Sequence, residues 1–357
     1  MRKIITLLFV CALSLGILAG CVPALAAPVA DGDIKVGFVI RTVGNPYYAA
    51  MATGVREAAE KRGWGFMLVD AANDSAVELE GMETMVAAGV NLIFLNCVDP
   101  FAATESMRVA YDAGIPVINL DSGVDDKTMQ VATVYSDNIQ NGIGVGKYFA
   151  EHFDREKTIS SIMVSGNIGS IAGGERRNGL WTGIIMGRTG LSESDAWDAA
   201  MKMEAELVAT GKARNEAADF YISGQGWGDW TVDGGLLAAE DLITANPAVN
   251  MIMGENCFMV LGGAIALDNA GITYGDGGVV SIIAAADGSL MSYDAIKAGR
   301  MLAVGENSPH KVGAMGVKVA AEILEEGRDA KSFPEVIMTP PAVISAANVD
   351  EFYPYGF

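Results

Sequence analysis

The chain has 357 residues and carries 24 Lys and Arg against 44 Asp and Glu, so its formal net charge is −20 at pH 7. So acidic a surface repels phosphate backbones, and we expect no nucleic-acid partner. Hydrophobic residues make up 51% of the chain, which is enough for two cores, and the length favours two domains.

The start of the chain has the pattern of an export signal. A basic start, Met1 to Lys3, precedes an apolar run from Ile4 to Leu18, and small residues follow. This pattern is typical of a secretory signal peptide rather than of a membrane span. No later stretch is long and apolar enough to cross a bilayer. We therefore expect the protein in the periplasm or at the outer face of the cell membrane.

Two processing sites compete within this signal. Residues 18–21, Leu-Ala-Gly-Cys, match a lipoprotein box, which would remove residues 1–20 and leave Cys21 as a lipidated first residue. Residues 24–26, Ala-Leu-Ala, form an A-x-A site, which would make residues 1–26 the signal peptide. The sequence leaves both open, so the protein is either freely soluble or anchored through Cys21.

Beyond the signal, strand patterns alternate with helix patterns along the chain, which indicates parallel sheets covered by helices. We predict strands at Lys35–Ile40, Gly65–Asp70, Leu92–Asn96, Pro116–Leu120, Ile159–Ser165, Asn250–Gly254, Val279–Ala286 and Met301–Gly305. We predict helices near Pro46–Lys61, Ser75–Ala88, Phe101–Ala113, Asn141–His152, Gly173–Gly187, Thr231–Ala245, Phe258–Ala270, Ser289–Ala298 and Pro309–Glu325. The fold class is therefore α/β.

The first strand, turn and helix place polar and aromatic groups where ligands bind in such folds. Val36–Ile40 is an apolar run, as expected of a strand buried on both faces, and Pro46 suits the first position of a helix. Asn45, Tyr47 and Tyr48 then lie beyond the carboxyl end of the first strand, where open α/β sheets bind ligands.

A weak internal repeat relates the two halves of the chain. Each block is a strand ending in Asn, a helix closed by Gly and a strand ending in Asp, so Asn96 and Asp121 correspond to Asn256 and Asp287. Carboxylates and carboxamides at these ends suit a polyhydroxylated ligand, because they exchange hydrogen bonds with neighbouring hydroxyls. Each of the four could instead cap the helix that follows it.

Cationic and aromatic pairs stand out in the second half. Arg176 and Arg177 begin a predicted helix, and we expect one to be solvated and the other to face a cleft, where a guanidinium offers a rigid fork of donors. Trp227 and Trp230 lie in Gly224–Trp230, which is predicted as a loop. Aromatic faces pack well against the C–H face of a sugar, and packing at a hinge is the alternative.

Residues 189–219 interrupt the alternation of strands and helices. One apolar face of an extra helix is predicted there, made of Ala196, Ala199, Ala200, Met203 and Leu207. This insertion is either a surface elaboration that covers one lobe or a contact for a partner.

No catalytic or metal-binding constellation emerges. Cys97 and Cys257 follow the signal segment, His152 and His310 are the only histidines, and no H-E-x-x-H, C-x-x-C or G-x-S-x-G is present. We therefore expect no metal, no cofactor and no enzymatic activity. Two cysteines make no disulfide framework, and we favour buried free thiols over a single bridge.

Together these residues resemble the periplasmic sugar-binding proteins of ABC importers, in the type I group that includes ribose-binding protein. The resemblance runs from Ile34 to Met338. It is carried by Gly44-Asn45-Pro46-Tyr47-Tyr48, Leu95-Asn96, Asp121, Ser136-Asp137-Asn138, Glu175-Arg176-Arg177-Asn178-Gly179, Asp229-Trp230, Asn256, Asp287-Gly288 and Asn307.

The resemblance implies two Rossmann-like lobes, each a parallel sheet flanked by helices, joined by a hinge of three crossings. The N-terminal lobe would comprise residues 34–136 plus 308–338. The C-terminal lobe would comprise residues 137–307 plus 339–357, with the insertion at 189–219. The crossings would fall near Ser136–Asp137, Asn307–Ser308 and Met338–Pro341.

The resemblance also implies a set of ligand-binding residues. The first lobe would contribute Asn45, Tyr47, Tyr48, Asn96, Asp121 and Ser122, and the second lobe or hinge would contribute Arg176, Trp230, Asn256, Asp287 and Asn307. Arg41 joins this set as an added cation just before the turn. Ser122 and Ala286 depart from the family pattern, which has an arginine and commonly an aromatic there. The ligand implied is a monosaccharide or a similar polyol.

The function implied is that of a monomeric extracytoplasmic solute-binding protein that delivers its ligand to an ABC permease in the inner membrane. The alternative is a sugar-sensing protein that feeds a chemoreceptor or a sensor kinase. A cytoplasmic regulator of the lac-repressor type is similar in its core domain, but the signal peptide and the lack of an N-terminal helix-turn-helix weigh against it.

Overall fold

The computed structural model describes residues 34–357, and the predicted signal peptide and the lipidation site at Cys21 lie outside the described residues. The strands are β1 Lys35–Ile40, β2 Gly65–Asp70, β3 Leu92–Asn96, β4 Val117–Leu120, β5 Ala132–Ser136, β6 Ile159–Ser165, β7 Ala213–Asn215, β8 Phe220–Trp227, β9 Met251–Gly254, β10 Ser281–Ala284, β11 Ala303–Gly305, β12 Val336–Thr339 and β13 Val343–Ser345. The helices are α1 Pro46–Glu60, α2 Ser75–Ala87, α3 Ala103–Asp112, α4 Asn138–His152, α5 Ile171–Thr189, α6 Glu193–Thr210, α7 Val232–Ala245, α8 Cys257–Ala270, α9 Leu290–Lys297, α10 Pro309–Leu324 and α11 Val349–Phe352.

The first sheet has six strands in the order β12-β5-β4-β3-β1-β2, and every neighbouring pair is parallel. Its strands read as apolar runs because both faces are covered by helices. Phe38, Phe94 and Ile118 point to a core shared with α1 and α10. Val39 and Ile93 point to the opposite core, beneath α2 and α3. All the strands thus end at one edge, where polar residues follow them.

The second sheet has seven strands in the order β13-β11-β10-β9-β6-β8-β7. Its central strands are parallel, and the two edge strands, β13 and β7, are antiparallel to their neighbours. Each face again has its own apolar core. The two sheets flanked by helices confirm the predicted α/β fold of two Rossmann-like lobes.

The chain passes between the two sheets three times. It leaves the first sheet after β5 and enters α4, returns from β11 to α10, and passes finally from β12 to β13. Asn141 on α4 binds all three passages: its carboxamide nitrogen donates to Ser136 Oγ at 2.8 Å and to the carbonyl of Glu306, and its oxygen accepts from the N–H of Ala342 at 3.0 Å. One buried side chain therefore links the three crossings.

The predicted elements are all present, with ends that differ by up to three residues. Five strands were not predicted, namely β5, β7, β8, β12 and β13. The expectation of a loop at Gly224–Trp230 is wrong for its first half, because Gly224 to Trp227 form the end of β8 beside β6. Glycines at Gly224 and Gly226 hid this strand. They are needed because a Cβ there would approach side chains of α7 to 2.7 and 2.9 Å.

The insertion contains the predicted extra helix. Ala196, Ala200, Met203 and Leu207 on α6 are buried in the core that α6 shares with α5 and β8, whereas Met201 is exposed. The helix therefore covers the second lobe.

Cys97 and Cys257 are both buried free thiols, and burial raises the pKa of each, that of Cys97 to about 12. Across residues 34–357, none of the helices combines the length and the apolarity that a bilayer crossing requires.

Candidate functional site

Tyr47 stands at the centre of the first lobe's contribution. Asn45 caps α1 by accepting the N–H of Tyr47 at 2.9 Å, and Pro46 occupies the first turn, so the tyrosine side chain is fixed just beyond β1. The ring is 8% exposed. Its hydroxyl donates to Asp121 Oδ1 at 2.7 Å and lies 3.1 Å from Asn307 Oδ1. A residue that follows β1 thus meets one after β4 and one from the hinge.

Asp121 is held in a strained and desolvated position. It directly follows β4 with φ at +63°, in the left-handed region, and its N–H donates to Val134 at 2.8 Å. Burial raises the pKa of Asp121, although the hydrogen bond from Tyr47 and the charge of Arg176 act in the opposite direction. Burial, Asp121 and Asp287 raise the pKa of Tyr47 well above its usual value. The tyrosine is therefore a donor at neutral pH, and the carboxylate gains from further donors.

Asn96, the last residue of β3, has a buried side-chain oxygen that can accept a hydrogen bond. Its carboxamide nitrogen donates to the carbonyl of Leu120 at 2.8 Å and to Ser122 Oγ at 2.9 Å. Its oxygen is buried and has no hydrogen-bond partner among the described residues. Because an unpartnered buried acceptor costs free energy, this oxygen favours an incoming donor. Ser122 fixes the orientation of Asn96.

Tyr48 and Arg41 contact each other beside Tyr47. The guanidinium carbon of Arg41 lies 5.4 Å from the centre of the Tyr48 ring, and its Nε donates to Asn73 Oδ1 at 3.3 Å. Burial, with Asp121 as the next contribution, raises the pKa of Tyr48 to about 12. Within the described chain, Arg41 has no carboxylate within salt-bridge distance. Its charge therefore acts on neighbouring site groups, where it partly offsets the effect of burial on the pKa of Tyr48 and of Asp121.

Arg176 and Asp287 form the ion pair of the second lobe. Arg176 projects from α5, and one terminal nitrogen lies 3.0 Å from Asp287 Oδ1, both side chains being less than 9% exposed. Its Nε donates to Asn138 Oδ1 at 2.8 Å. Burial disfavours the charge of Arg176, but Asp287, Tyr47, Asp121 and Glu255 outweigh it, so the pKa is raised. The guanidinium is therefore a permanent donor.

Asn307 joins the two lobes at the hinge. It is fully buried; its side-chain nitrogen donates to Asp287 Oδ1 at 3.0 Å, and its oxygen faces the hydroxyl of Tyr47. A continuous polar chain therefore runs from Asp121 through Tyr47, Asn307 and Asp287 to Arg176.

Trp230 provides an apolar face beside Arg176. Its backbone has φ at +61°, and the indole lies flat against Gly166, where a Cβ would come within 2.0 Å of the ring. The Arg176 guanidinium carbon is 5.8 Å from the ring centre. Trp227, by contrast, ends β8 and is 43% exposed. Of the two tryptophans, only Trp230 lies beside Arg176.

Asn256 takes the capping role that the sequence left open. Its oxygen accepts the N–H of Met259 at 3.0 Å and so caps α8, and its nitrogen donates to the carbonyl of Trp230 at 3.2 Å. Both polar atoms of the side chain are therefore used within the protein. In this arrangement Asn256 positions the turn that carries Trp230.

Arg177 is not solvated, contrary to the expectation for one of the two arginines. Its side chain pairs with both carboxylate oxygens of Glu204 on α6 and with Glu255. Glu255 is fully buried, and its second oxygen accepts the N–H of Gly166 at 2.8 Å. This network could not be predicted from the sequence, which does not show that α6 covers α5. The network fixes the glycine on which Trp230 rests.

Two contributors to the site's surroundings were missed from the sequence. Asn138 bonds Arg176 and also donates to Glu175 Oε2 at 3.0 Å; its position in Ser136-Asp137-Asn138 was the available signal. Phe357 lies with its ring centre 5.5 Å from that of Tyr47. No pattern in the sequence pointed to it. No cluster of three or more His, Cys, Asp or Glu that could hold a metal is found within residues 34–357.

Comparisons with known proteins show the family of this chain. Residues 36–329 match the model of the periplasmic binding protein domain. The chain belongs to this family. It is 28% identical over 334 residues to the ribose import binding protein RbsB of Salmonella typhimurium, covering 94% of this chain and 96% of the relative. The predicted membership of the ribose-binding-like type I group is thus confirmed.

Solved structures of the same architecture support the fold. One is an ABC transporter solute-binding protein from Bacillus halodurans with bound myo-inositol, which has a TM-score of 0.69 at 21% identity and covers 91% of this chain and 99% of its own. Another is a periplasmic solute-binding protein from Actinobacillus succinogenes with bound D-allose, which has a TM-score of 0.70 at 22% identity and covers 89% and 99%. At these identities the likeness shows the fold.

Proposed function

We propose that this protein is an extracytoplasmic solute-binding protein that captures a monosaccharide or a similar polyol between its lobes and delivers it to an ABC importer. The observation that carries the proposal is the polar chain from Asp121 to Arg176 across the hinge. Both lobes contribute carboxylates to it, and each carboxylate can accept two neighbouring hydroxyls. Relatives named for ribose and structural neighbours with bound D-allose and myo-inositol support the same class of ligand.

In this proposal the ligand draws the two lobes together. Tyr47, Tyr48 and Trp230 supply apolar faces, and Asp121, Asp287, Asn96 and Arg176 supply directional hydrogen bonds. A ligand that touches both lobes binds the closed state more tightly than the open state, and this difference shifts the population. Charge-assisted hydrogen bonds contribute about 1.5–3 kcal/mol each. Several of them can reach the ~8 kcal/mol of micromolar binding after ordering costs.

Other predicted site residues receive graded roles. Asn45 keeps its side-chain nitrogen for a ligand while its oxygen caps α1, and Arg41 lies at the mouth of the site. Ser122, Asn256 and Asn307 act chiefly by fixing Asn96, Trp230 and Asp287. We propose lobes of residues 34–136 plus 308–338 and 137–307 plus 339–357, because α10 and β12 pack with the first sheet and β13 with the second.

We add export, a membrane permease as partner and a monomeric state to the proposal, and family membership supports the first two. Delivery to a chemoreceptor or a sensor kinase is the alternative. Capture of the permease subunits by the ligand-loaded protein, and not by the ligand-free protein, would favour import. Capture of a receptor ectodomain alone would favour sensing.

A thermal-shift screen of pentoses, hexoses and polyols tests the proposed ligand class. We expect at least one sugar or polyol to raise the unfolding midpoint of the wild type, and Asp121→Ala and Asp287→Ala to abolish the shift. Asp112→Asn, an exposed carboxylate at the end of α3, serves as the control and should shift like the wild type. A flat screen across all three compound classes would contradict the sugar assignment.

A further inference from the structure

The last residues of the sequence contact both lobes. α11 and the turn over Tyr353–Tyr355 lie against the second lobe, where Lys297 Nζ pairs with Asp350 Oδ1 at 2.6 Å and Tyr353 donates to Asp294 Oδ1 at 2.9 Å. We call residues 349–357 the terminal strap. These contacts anchor its first half on α9.

The terminal strap also reaches the elements that belong with the first sheet. Lys311 on α10 places its Nζ 4.7 Å from the ring centre of Phe352 and 5.1 Å from that of Tyr355. Ser308, which caps α10, approaches the carbonyl of Tyr355 at 3.4 Å. The strap therefore bridges α9 and α10, which belong to different lobes.

The final side chain lies between aromatic rings of the two lobes. The ring centre of Phe357 is 5.5 Å from that of Tyr47 and 6.0 Å from that of Phe258, and both contacts are edge-to-face at 82° and 68°. The carbonyl of Phe357 accepts the N–H of Leu290 at the start of α9 at 3.1 Å. Gly356 permits this path, because a Cβ there would lie 2.7 Å from the Leu290 side chain.

Tyr47 is therefore held from two sides. Tyr48 meets its ring edge-on from the first lobe at 5.5 Å, and Phe357 meets it from the strap. The hydroxyl of the same ring bonds Asp121. Motion of the strap away from the first lobe removes one of the two restraints on this ring.

We propose that the terminal strap is a fourth, non-covalent connection between the lobes, and that Phe357 is a positioning residue for Tyr47. This proposal rests on the proposed function, in which the closed lobes retain a sugar. Opening the lobes separates Phe357 from Tyr47 or from Phe258. The strap therefore favours the closed state, and it acts on the rate at which ligand leaves rather than on the rate of encounter.

Stopped-flow kinetics with the sugar found in the screen test this role. Phe357→Ala should raise the dissociation rate about 5- to 20-fold through the loss of two aromatic contacts, with the association rate within about twofold of the wild type. Phe357→Tyr keeps the ring and should restore the slow dissociation. Tyr111→Ala, an exposed aromatic on α3, is the control for a general effect of losing a ring. A dissociation rate of Phe357→Ala equal to that of the wild type would overturn the proposal.

A second measurement separates failure of the strap from failure of the proposed function. Small-angle X-ray scattering of the ligand-free proteins should give a larger radius of gyration for Phe357→Ala than for the wild type and for Phe357→Tyr. If the wild type binds no sugar or polyol, the proposed function fails, but the scattering still tests the strap. Identical radii in the three proteins would then overturn it.

Discussion

Asn141 accepts a hydrogen bond from the backbone N–H of Ala342 at 3.0 Å, although the two residues lie in different passages between the lobes. The nitrogen of the same side chain donates to Ser136 Oγ and to the carbonyl of Glu306. The three crossings are thus tied at one buried point.

Removing the side chain of Asn141, which acts as a clasp between the three crossings, should destabilise the whole protein. Asn141→Ala removes three hydrogen bonds and leaves the N–H of Ala342 unpaired, while Ser136 and Glu306 keep only their bond to each other. We expect a loss of about 2–4 kcal/mol in the free energy of unfolding. Urea denaturation followed by circular dichroism measures this loss. Gln140→Ala, next to it on α4 and bonded only to Glu193 on the surface through its side chain, should cost much less. Equal losses in the two variants would contradict the clasp.

Asp121 should trade stability for binding. Its pKa in the folded protein is raised by burial, so the folded protein binds this proton more tightly than the unfolded chain does. The contribution of Asp121 to stability is therefore fully present below its unfolded pKa and is lost as the pH rises through the folded pKa. Asp121→Asn removes this loss, and asparagine tolerates the positive φ.

We therefore expect ligand-free Asp121→Asn to be at least as stable as the wild type at pH 7, with the advantage shrinking as the pH falls towards about 4. Its sugar affinity should fall about 10- to 100-fold, because a charge-assisted acceptor is lost. Urea titrations across this pH range and isothermal calorimetry measure the two effects. A variant less stable than the wild type at pH 7 would show that the carboxylate serves the fold.

Gly166 should prove indispensable to Trp230. An added Cβ would lie 2.0 Å from the indole, so Gly166→Ala must displace the ring, at a cost of about 1–3 kcal/mol. We expect at least a tenfold loss of sugar affinity and a changed tryptophan emission spectrum. Gly174→Ala is the matched control on the neighbouring helix, since a Cβ there meets nothing within 4 Å. Wild-type binding by Gly166→Ala would exclude the indole from the site.

Removing the charge of Arg177 should destabilise the protein more than removing the charge of one of its carboxylate partners. Arg177→Met leaves Glu204 and the fully buried Glu255 without a cation, and we expect a cost of about 3–5 kcal/mol. Glu204→Gln leaves Arg177 and Glu255 as a neutral ion pair, and this substitution should cost less than half as much. Thermal and urea unfolding of the two variants rank them, and the reverse order would contradict the network.

Local sequence predicted much of the fold because each of the strands β1 to β4 is a short apolar run bounded by a helix or turn signal. The placement of Tyr47 and Asp121 at one edge followed from that pattern alone, since carboxyl ends of parallel strands meet. β8 was missed because two glycines make room for α7 and weaken its strand pattern. β13 was missed because a three-residue edge strand carries almost no periodicity.

The site was harder to predict where a residue's partner lies far away in sequence. From the sequence alone, Asn256 is equally consistent with a helix cap and with a ligand contact. Its hydrogen bonds to Met259 and Trp230 become visible only in the folded chain. Arg177 reads as a surface cation until α6 brings Glu204 over it. Phe357 gave no signal, because its proposed role depends on the path of the terminal strap between the two lobes.

The return of the chain from β11 to α10 has a consequence for biogenesis. Residues 138–305 form six of the seven strands of the second sheet in one uninterrupted stretch, and only β13 comes later in the chain. The core of the first sheet, in contrast, needs Val312 and Val317 of α10 and pairing with β12, which are synthesised only after that stretch. We infer that the N-terminal half stays incompletely packed until synthesis is nearly finished. Such delayed folding fits the export proposed above, in which the chain would cross a membrane before it acquires its final shape.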